Sequence, residues 1–126
     1  MNIPADLKYT RDHEWLKIED DEALVGITDY AQGELGDIVY LELPEIGAEI
    51  NQGDSFGTIE AVKAASDLFT PITGEVMAVN SDLDQAPETI NNSPYDKGWI
   101  IRIKITDMDE LDSLLSPAEY REAIEG

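Results

Sequence analysis

The chain has no cysteine and a single histidine, His13. Cys nucleophiles, disulfide scaffolds, iron–sulfur clusters and Cys-ligated zinc are therefore excluded. His13 stands in Asp12-His13-Glu14-Trp15 with no second histidine to share a metal or serve a nucleophile, and it reads as a surface or structural residue. There is no Gly-x-Ser-x-Gly elbow, no Gly-x-Gly-x-x-Gly turn and no phosphate loop. Acidic runs occur at Asp20-Asp21-Glu22, Asp82-Leu83-Asp84 and Asp107-Met108-Asp109-Glu110. None continues into a calcium loop with its central Gly and terminal Glu, and composition alone generates such runs in so acidic a chain.

Amines are scarce, and so more informative. Lys17 and Lys104 fall in strand-like runs, and Lys8 and Lys97 in polar surroundings. Lys63 lies between two strand-like segments, in Glu60-Ala61-Val62-Lys63-Ala64-Ala65-Ser66-Asp67. A tight turn there would hold one ammonium in solvent with little bulk around it. A turn lysine is ordinarily a solvated charge. An unhindered one also permits acylation, which replaces the ammonium by a neutral amide and fixes a cargo to the turn.

The 126 residues, 42% hydrophobic and 29% charged, suit one soluble globular domain. Twenty-eight acids against eight bases give a formal charge of −20. Such a surface repels phosphate backbones and anionic leaflets, so neither nucleic acid nor membrane is an expected partner. It favours encounter with basic docking faces and, with the small size, a monomer. No apolar run is longer than Val76–Val79, far short of a membrane span. Met1-Asn2-Ile3-Pro4-Ala5-Asp6 lacks the basic and apolar regions of a secretory signal, so the expected location is the cytoplasm.

The elements that would position Lys63 are mostly strands. His13–Ile18 and Ala23–Ile27 read as a hairpin across an acidic turn. Thr28 reads as the N-cap of a short helix that Gly36 ends. Further strands follow at 38–43, 48–50, 55–62, 65–69 and 74–79, then a mostly polar loop at 80–98 broken by Pro87 and Pro94. Trp99, Ile101, Ile103 and Ile105 alternate with polar residues as one face of a last strand. Met108, Leu111, Leu114 and Leu115 have helical spacing, and Ser116-Pro117-Ala118-Glu119 has a capping-box pattern. Strand–helix alternation is missing, so a mainly β barrel or sandwich with a helical tail is expected. Ile46–Ile50 faintly echoes Ile72–Val76, as two similar β-motifs would.

Several segments together resemble the H-protein family of the glycine cleavage system, the lipoyl carriers. They are His13-Glu14-Trp15; Val25 to Gln32; Leu35-Gly36-Asp37-Ile38-Val39-Tyr40; Leu43-Pro44; Gly57 to Ala64; Pro71 to Val76; and Asn91-Asn92-Ser93-Pro94-Tyr95 leading to Gly98-Trp99. The resemblance covers roughly Leu7 to Ile124. The family lipoylates the lysine of a Glu-Ser-Val-Lys-Ala turn, which here is Lys63 within Glu60, Val62 and Ala64, with Ala61 where Ser is usual. Biotin carriers place Met on both sides of the lysine, unlike Val62 and Ala64. Lipoyl domains of 2-oxo acid dehydrogenases lack the His-Glu-Trp start and this tail.

The resemblance implies a barrel–sandwich hybrid of two similar β-motifs, with the lysine at a hairpin tip. It implies one lipoyl-carrier domain over 1–126, its core at about 7–106 and its helical tail at about 107–126. Covalent lipoate on Lys63 would take the aminomethyl group of glycine from a pyridoxal-phosphate glycine decarboxylase. A tetrahydrofolate-dependent aminomethyltransferase would receive it, and dihydrolipoyl dehydrogenase would reoxidise the dithiol. Lipoylating enzymes are further partners, and the chain itself would be a carrier, not a catalyst. The loaded arm would fold into a cleft near Glu14 and Asp67, with Asp12 where some members have Ser. An H-like protein relaying lipoyl groups to another pathway is the alternative within this class. An acidic binding module or small hydrolase with unmodified Lys63 is the alternative outside it.

Overall fold

The computed structural model describes residues 2–125; Met1 and Gly126, the ends of the expected domain, lie outside the described residues. The chain is mainly β, with nine strands among these residues and three short α-helices. The strands are β1 Lys8–Tyr9, β2 Glu14–Glu19, β3 Glu22–Ile27, β4 Ile38–Glu42, β5 Glu49–Ile50, β6 Ser55–Ala61, β7 Ala65–Phe69, β8 Gly74–Val79 and β9 Ile101–Ile105. The helices are α1 Asp29–Leu35, α2 Thr89–Asn92 and α3 Pro117–Glu125. A six-stranded sheet runs β1-β2-β3-β9-β8-β5, and a three-stranded sheet runs β4-β6-β7.

Period-two burial drives this arrangement. In β9, Ile101, Ile103 and Ile105 are buried while Lys104 is exposed. With Leu16, Val25, Leu41, Ile59, Leu68, Val76 and others from both sheets they form one continuous core. A second, smaller cluster joins Ile3, Leu7, Tyr9, Trp15 and Tyr120. Here the tail returns to the start of the chain. The Tyr9 and Tyr120 rings stack 4.7 Å apart, and Tyr9 and Leu115 exchange backbone hydrogen bonds of 2.9 and 2.8 Å. Gly26 makes room for the Trp15 indole, since a Cβ there would lie 2.7 Å from the ring.

The two echoing segments are antiparallel partners: Glu49 pairs with Glu75 and Ile50 with Gly74. Gly47 N–H and Val76 N–H extend the pairing by donating to the Val76 and Ala48 carbonyls at 2.8 Å. Thr28 caps α1, its Oγ1 accepting from Ala31 N–H at 3.2 Å, and Gly36 ends the helix at φ +82°. The capping box before α3 is reciprocal, Ser116 N–H to Glu119 Oε1 at 2.9 Å and Glu119 N–H to Ser116 Oγ at 3.1 Å.

Four local expectations need correction. His13 is not in a strand; its φ of +68° is left-handed, so β2 begins at Glu14. The polar stretch 80–98 holds a 3₁₀ turn, Ser81–Asp84, and the one-turn α2, which bury Leu83 and Ile90. Trp99 precedes β9 and packs on the second cluster, not with Ile101 and Ile103. The run from Met108 to Ser113 is 3₁₀ rather than α.

Candidate functional site

Strands β6 and β7 form an antiparallel hairpin whose last pair is Glu60 with Ala65. Ala61 N–H donates to the Ala64 carbonyl at 2.8 Å, which closes the turn and leaves Val62 and Lys63 at its centre. Val62 N–H donates to the Asp37 carbonyl at 2.9 Å, tying the tip to the corner that follows α1. Lys63 and Ala64 are exposed, and Val62 is 72% exposed. The ion pairs among the described residues are those of Arg102 with Glu19 and Glu22, so the Lys63 ammonium is not held in one. Among the described residues no group of three or more His, Cys, Asp or Glu is arranged to hold a metal.

Beside the hairpin opens a cleft of about 320 Å³. Asp12, Glu14 and Asp67 line it together, although they come from a loop, the start of β2 and the edge strand β7. Ile27, Ala31, Leu35, Ile59 and Leu68 give it an apolar floor. His13, Tyr30 and Glu34 also line it, and the sequence reading assigned none of these to the cleft. Tyr30, Ala31, Glu34 and Leu35 share one face of α1 at helical spacing, the signal that could have found them. Glu60, Val62 and Ala64 stay at the tip, outside the cleft lining. Glu60 instead shares the outer face of the small sheet with Glu42, Thr58 and Asp67.

Glu14 is the unusual acid of the group, at 3% exposure. Burial pushes its carboxyl up to about 8 and the nearby Asp12 adds to the rise. The Thr10 hydroxyl, donating to Oε1 at 2.7 Å, and the Phe69 N–H work against it. Glu14 is thus largely protonated at neutral pH and bridges the two sheets at the cleft wall. Burial also lowers the pKa of the neighbouring His13 imidazole, against the pull of Asp12 and Glu34. Its Nδ1 lies 2.9 Å from the Tyr120 hydroxyl, which lies 2.7 Å from Thr28 Oγ1. The tail helix thereby braces both the cleft wall and the α1 cap.

The model of the family described as "Glycine cleavage H-protein" matches residues 7–126. The chain belongs to that family. A glycine cleavage system H protein of Staphylococcus haemolyticus is 49% identical over 124 residues, which span 98% of each chain. One from Carboxydothermus hydrogenoformans is 51% identical over 123 residues, 98% of this chain and 95% of that one. The crystal structure of a glycine cleavage system H protein from Mycobacterium marinum superposes with a TM-score of 0.91 at 38% identity, covering 98% of this chain and all of that one. The two sheets are thus the barrel–sandwich of an H protein, as the resemblance implied. Among the described residues, no helix of this H-protein chain is long and apolar enough to cross a membrane.

Proposed function

We propose that the chain is the lipoyl-lysine carrier of glycine cleavage, with Lys63 as the attachment point. The observation that carries this reading is an exposed lysine between Val62 and Ala64 at the apex of a tight hairpin that Ala61 and Ala64 close, beside a cleft with an apolar floor and acidic walls. The residues fit the group. Small neighbours leave the amine open to an acylating enzyme, and Glu60, Val62 and Ala64 would frame it for recognition. Joined there as an amide, lipoate supplies a disulfide that can take up the aminomethyl group of glycine and return to the oxidised state, chemistry for which this chain has no thiol.

The chain's own residues would shelter the cargo. The cleft floor excludes water, which slows loss of a labile amine adduct. Glu14 and Asp67, with Asp12, offer carboxylates to a cationic amine. A protonated Glu14 is a weak partner for an ammonium, so an arriving cation would draw off its proton. Tethering then presents the cargo at high local concentration to each docked enzyme. These would be the pyridoxal-phosphate glycine decarboxylase, the tetrahydrofolate-dependent aminomethyltransferase, dihydrolipoyl dehydrogenase and the lipoylating enzymes. The acidic outer face at Glu42, Glu60 and Asp67 suits basic docking surfaces. The chain would act as a cytoplasmic monomer, a single domain with its core at 7–106, and would catalyse nothing itself.

Intact-mass and peptide mass spectrometry of protein from a lipoylating host should find one lipoyl amide, on Lys63. With the partner enzymes present, that protein should support exchange of bicarbonate into glycine. Exchange that persists in Lys63→Arg protein would overturn the reading.

A further inference from the structure

We infer that Gly36 is a seat for the aliphatic stem of Lys63 and that Asn91 holds this seat in register with the hairpin tip. The inference rests on the carrier reading and adds two positioning residues that lie outside the attachment motif. A Cβ on Gly36 would stand 3.2 Å from Lys63 Cδ and 3.4 Å from Cγ and Cε. The lysine stem therefore runs across the bare Cα while its ammonium stays in solvent, as amphipathic side chains do. Gly36 also adopts φ +82° and ψ −158°, a conformation that L side chains avoid. The backbone at this position calls for glycine, and a Cβ added there would push the lysine stem off the Cα.

The seat is held by a residue far along the chain. Asn91 Oδ1 accepts from Ile38 N–H at 2.9 Å, and its Nδ2 donates to the Gly36 carbonyl at 2.9 Å and to Gln32 Oε1 at 3.0 Å. One amide thus grips both sides of the corner and uses both of its donors and its acceptor. Asn91 is itself fixed by α2, whose Ile90 is fully buried. From the other direction, Val62 N–H donates to the Asp37 carbonyl in the same corner. The corner between α1 and β4 is therefore bonded to the lysine turn on one side and to Asn91 on the other.

The seat leads into the cleft. Leu35, the residue before Gly36, lines the cleft floor, and Ala31 and Tyr30 from the same face of α1 line the cleft with Glu14. A stem laid on Gly36 therefore lies next to the cleft lining at Leu35. A long side chain gives up rotamer freedom on docking, and a stem already laid down has given up part of it beforehand. The seat would bias the arm toward shelter without closing it to partners.

Two measurements on Asn91→Asp test this. That variant keeps the acceptor for Ile38 N–H and loses both donors. The first is ¹³C relaxation of the Lys63 methylenes in the unmodified protein. The second is the decay of the amine-loaded form with the aminomethyltransferase left out. Below its unfolding midpoint, Asn91→Asp should show a more mobile Lys63 stem and a several-fold faster decay, with lipoyl attachment as complete as in wild type. Ile103→Val, a core change away from the corner, should lower stability and leave both readouts at wild-type values. Gly36→Ala, where it folds, should act like Asn91→Asp. Wild-type mobility and decay in folded Asn91→Asp would overturn the seat. A protein that never accepts lipoate would instead defeat the carrier reading, while Lys63 mobility would still decide the seat.

Discussion

The hairpin from Ser55 to Phe69 and the strand start from Asp12 to Trp15 border one cleft and are built by opposite rules. At the hairpin tip the informative side chain is exposed, its neighbours are small, and the turn is closed by backbone hydrogen bonds. At the strand start Glu14 and Trp15 are buried, His13 is half-buried, and the side chains are satisfied by specific partners, most of them distant in sequence. Glu14 meets Thr10 and Phe69, His13 meets Tyr120, and the Trp15 indole N–H donates to the Pro94 carbonyl at 2.9 Å. A tip can expose a reactive group because little depends on it structurally. A wall can carry a perturbed acid because a network fixes its place. Substitutions in the two regions should therefore separate function from stability.

The largest expected effect is functional. Lys63→Arg should abolish lipoyl attachment and every activity that follows from it. Its unfolding free energy should stay within about 0.5 kcal/mol of wild type, because the site is exposed and arginine keeps an aliphatic stem to lay over Gly36. Mass spectrometry and urea denaturation check the two halves. The converse change is Trp15→Ala, which removes a fully buried indole. It should lower stability by about 3–5 kcal/mol while the folded fraction still accepts lipoate on Lys63. A large stability loss in Lys63→Arg would break the contrast between the regions.

The same contrast decides what could be read from the sequence. The strands that flank Lys63 were legible because period-two alternation, Gly and Pro mark them locally. Thr28 and Ser116 were legible as caps because capping is set within four residues. The resemblance pointed to Asp12, Glu14 and Asp67, and they do line one cleft. The rise of the Glu14 pKa was not legible, since it depends on how deeply the packed sheets bury that carboxyl. Asn91 looked like one polar residue in a loop, because its three bonds reach residues 53 to 59 positions away. Gly36 could be seen as a helix end, but not as the surface under a lysine.

The next effect tests the wall by pH. The Glu14 carboxyl is raised from 4.5 to about 8 in the folded state. Between those values the native chain binds a proton that the unfolded chain has released, so stability falls as pH rises. Glu14→Gln removes this dependence. Relative to wild type, the variant should gain about 2–4 kcal/mol across that window, read as the difference between their denaturation midpoints at pH 5 and pH 8.5. Equal differences at both pH values would mean that Glu14 titrates like an exposed acid and that the wall is not built as described. Once lipoylated and loaded, the same variant should lose its cargo faster, because the amide cannot become an anion.

The smallest effect concerns the brace between the tail and the wall. Tyr120→Phe keeps the ring stacked on Tyr9 and deletes the hydroxyl shared by His13 and Thr28. Thr28 Oγ1 still accepts from Ala31 N–H, so only part of the network is lost. A loss of about 1–2 kcal/mol follows from one buried hydroxyl removed from two partners. His13 offers a second readout, opposite in sign to Glu14. With its pKa lowered by burial, the unfolded chain takes up a proton first as pH falls through the ordinary imidazole range, so its contribution to stability grows as pH rises. Hydrogen exchange in Tyr120→Phe should quicken along α3 and around the α1 cap and stay unchanged in the β6–β7 hairpin, because α3 packs on β1 and Tyr120 bonds to His13 and Thr28, while the hairpin is held by its own backbone pairs. Faster exchange in the hairpin as well would show that wall and tip share one cooperative unit, and the opposition between them would fail.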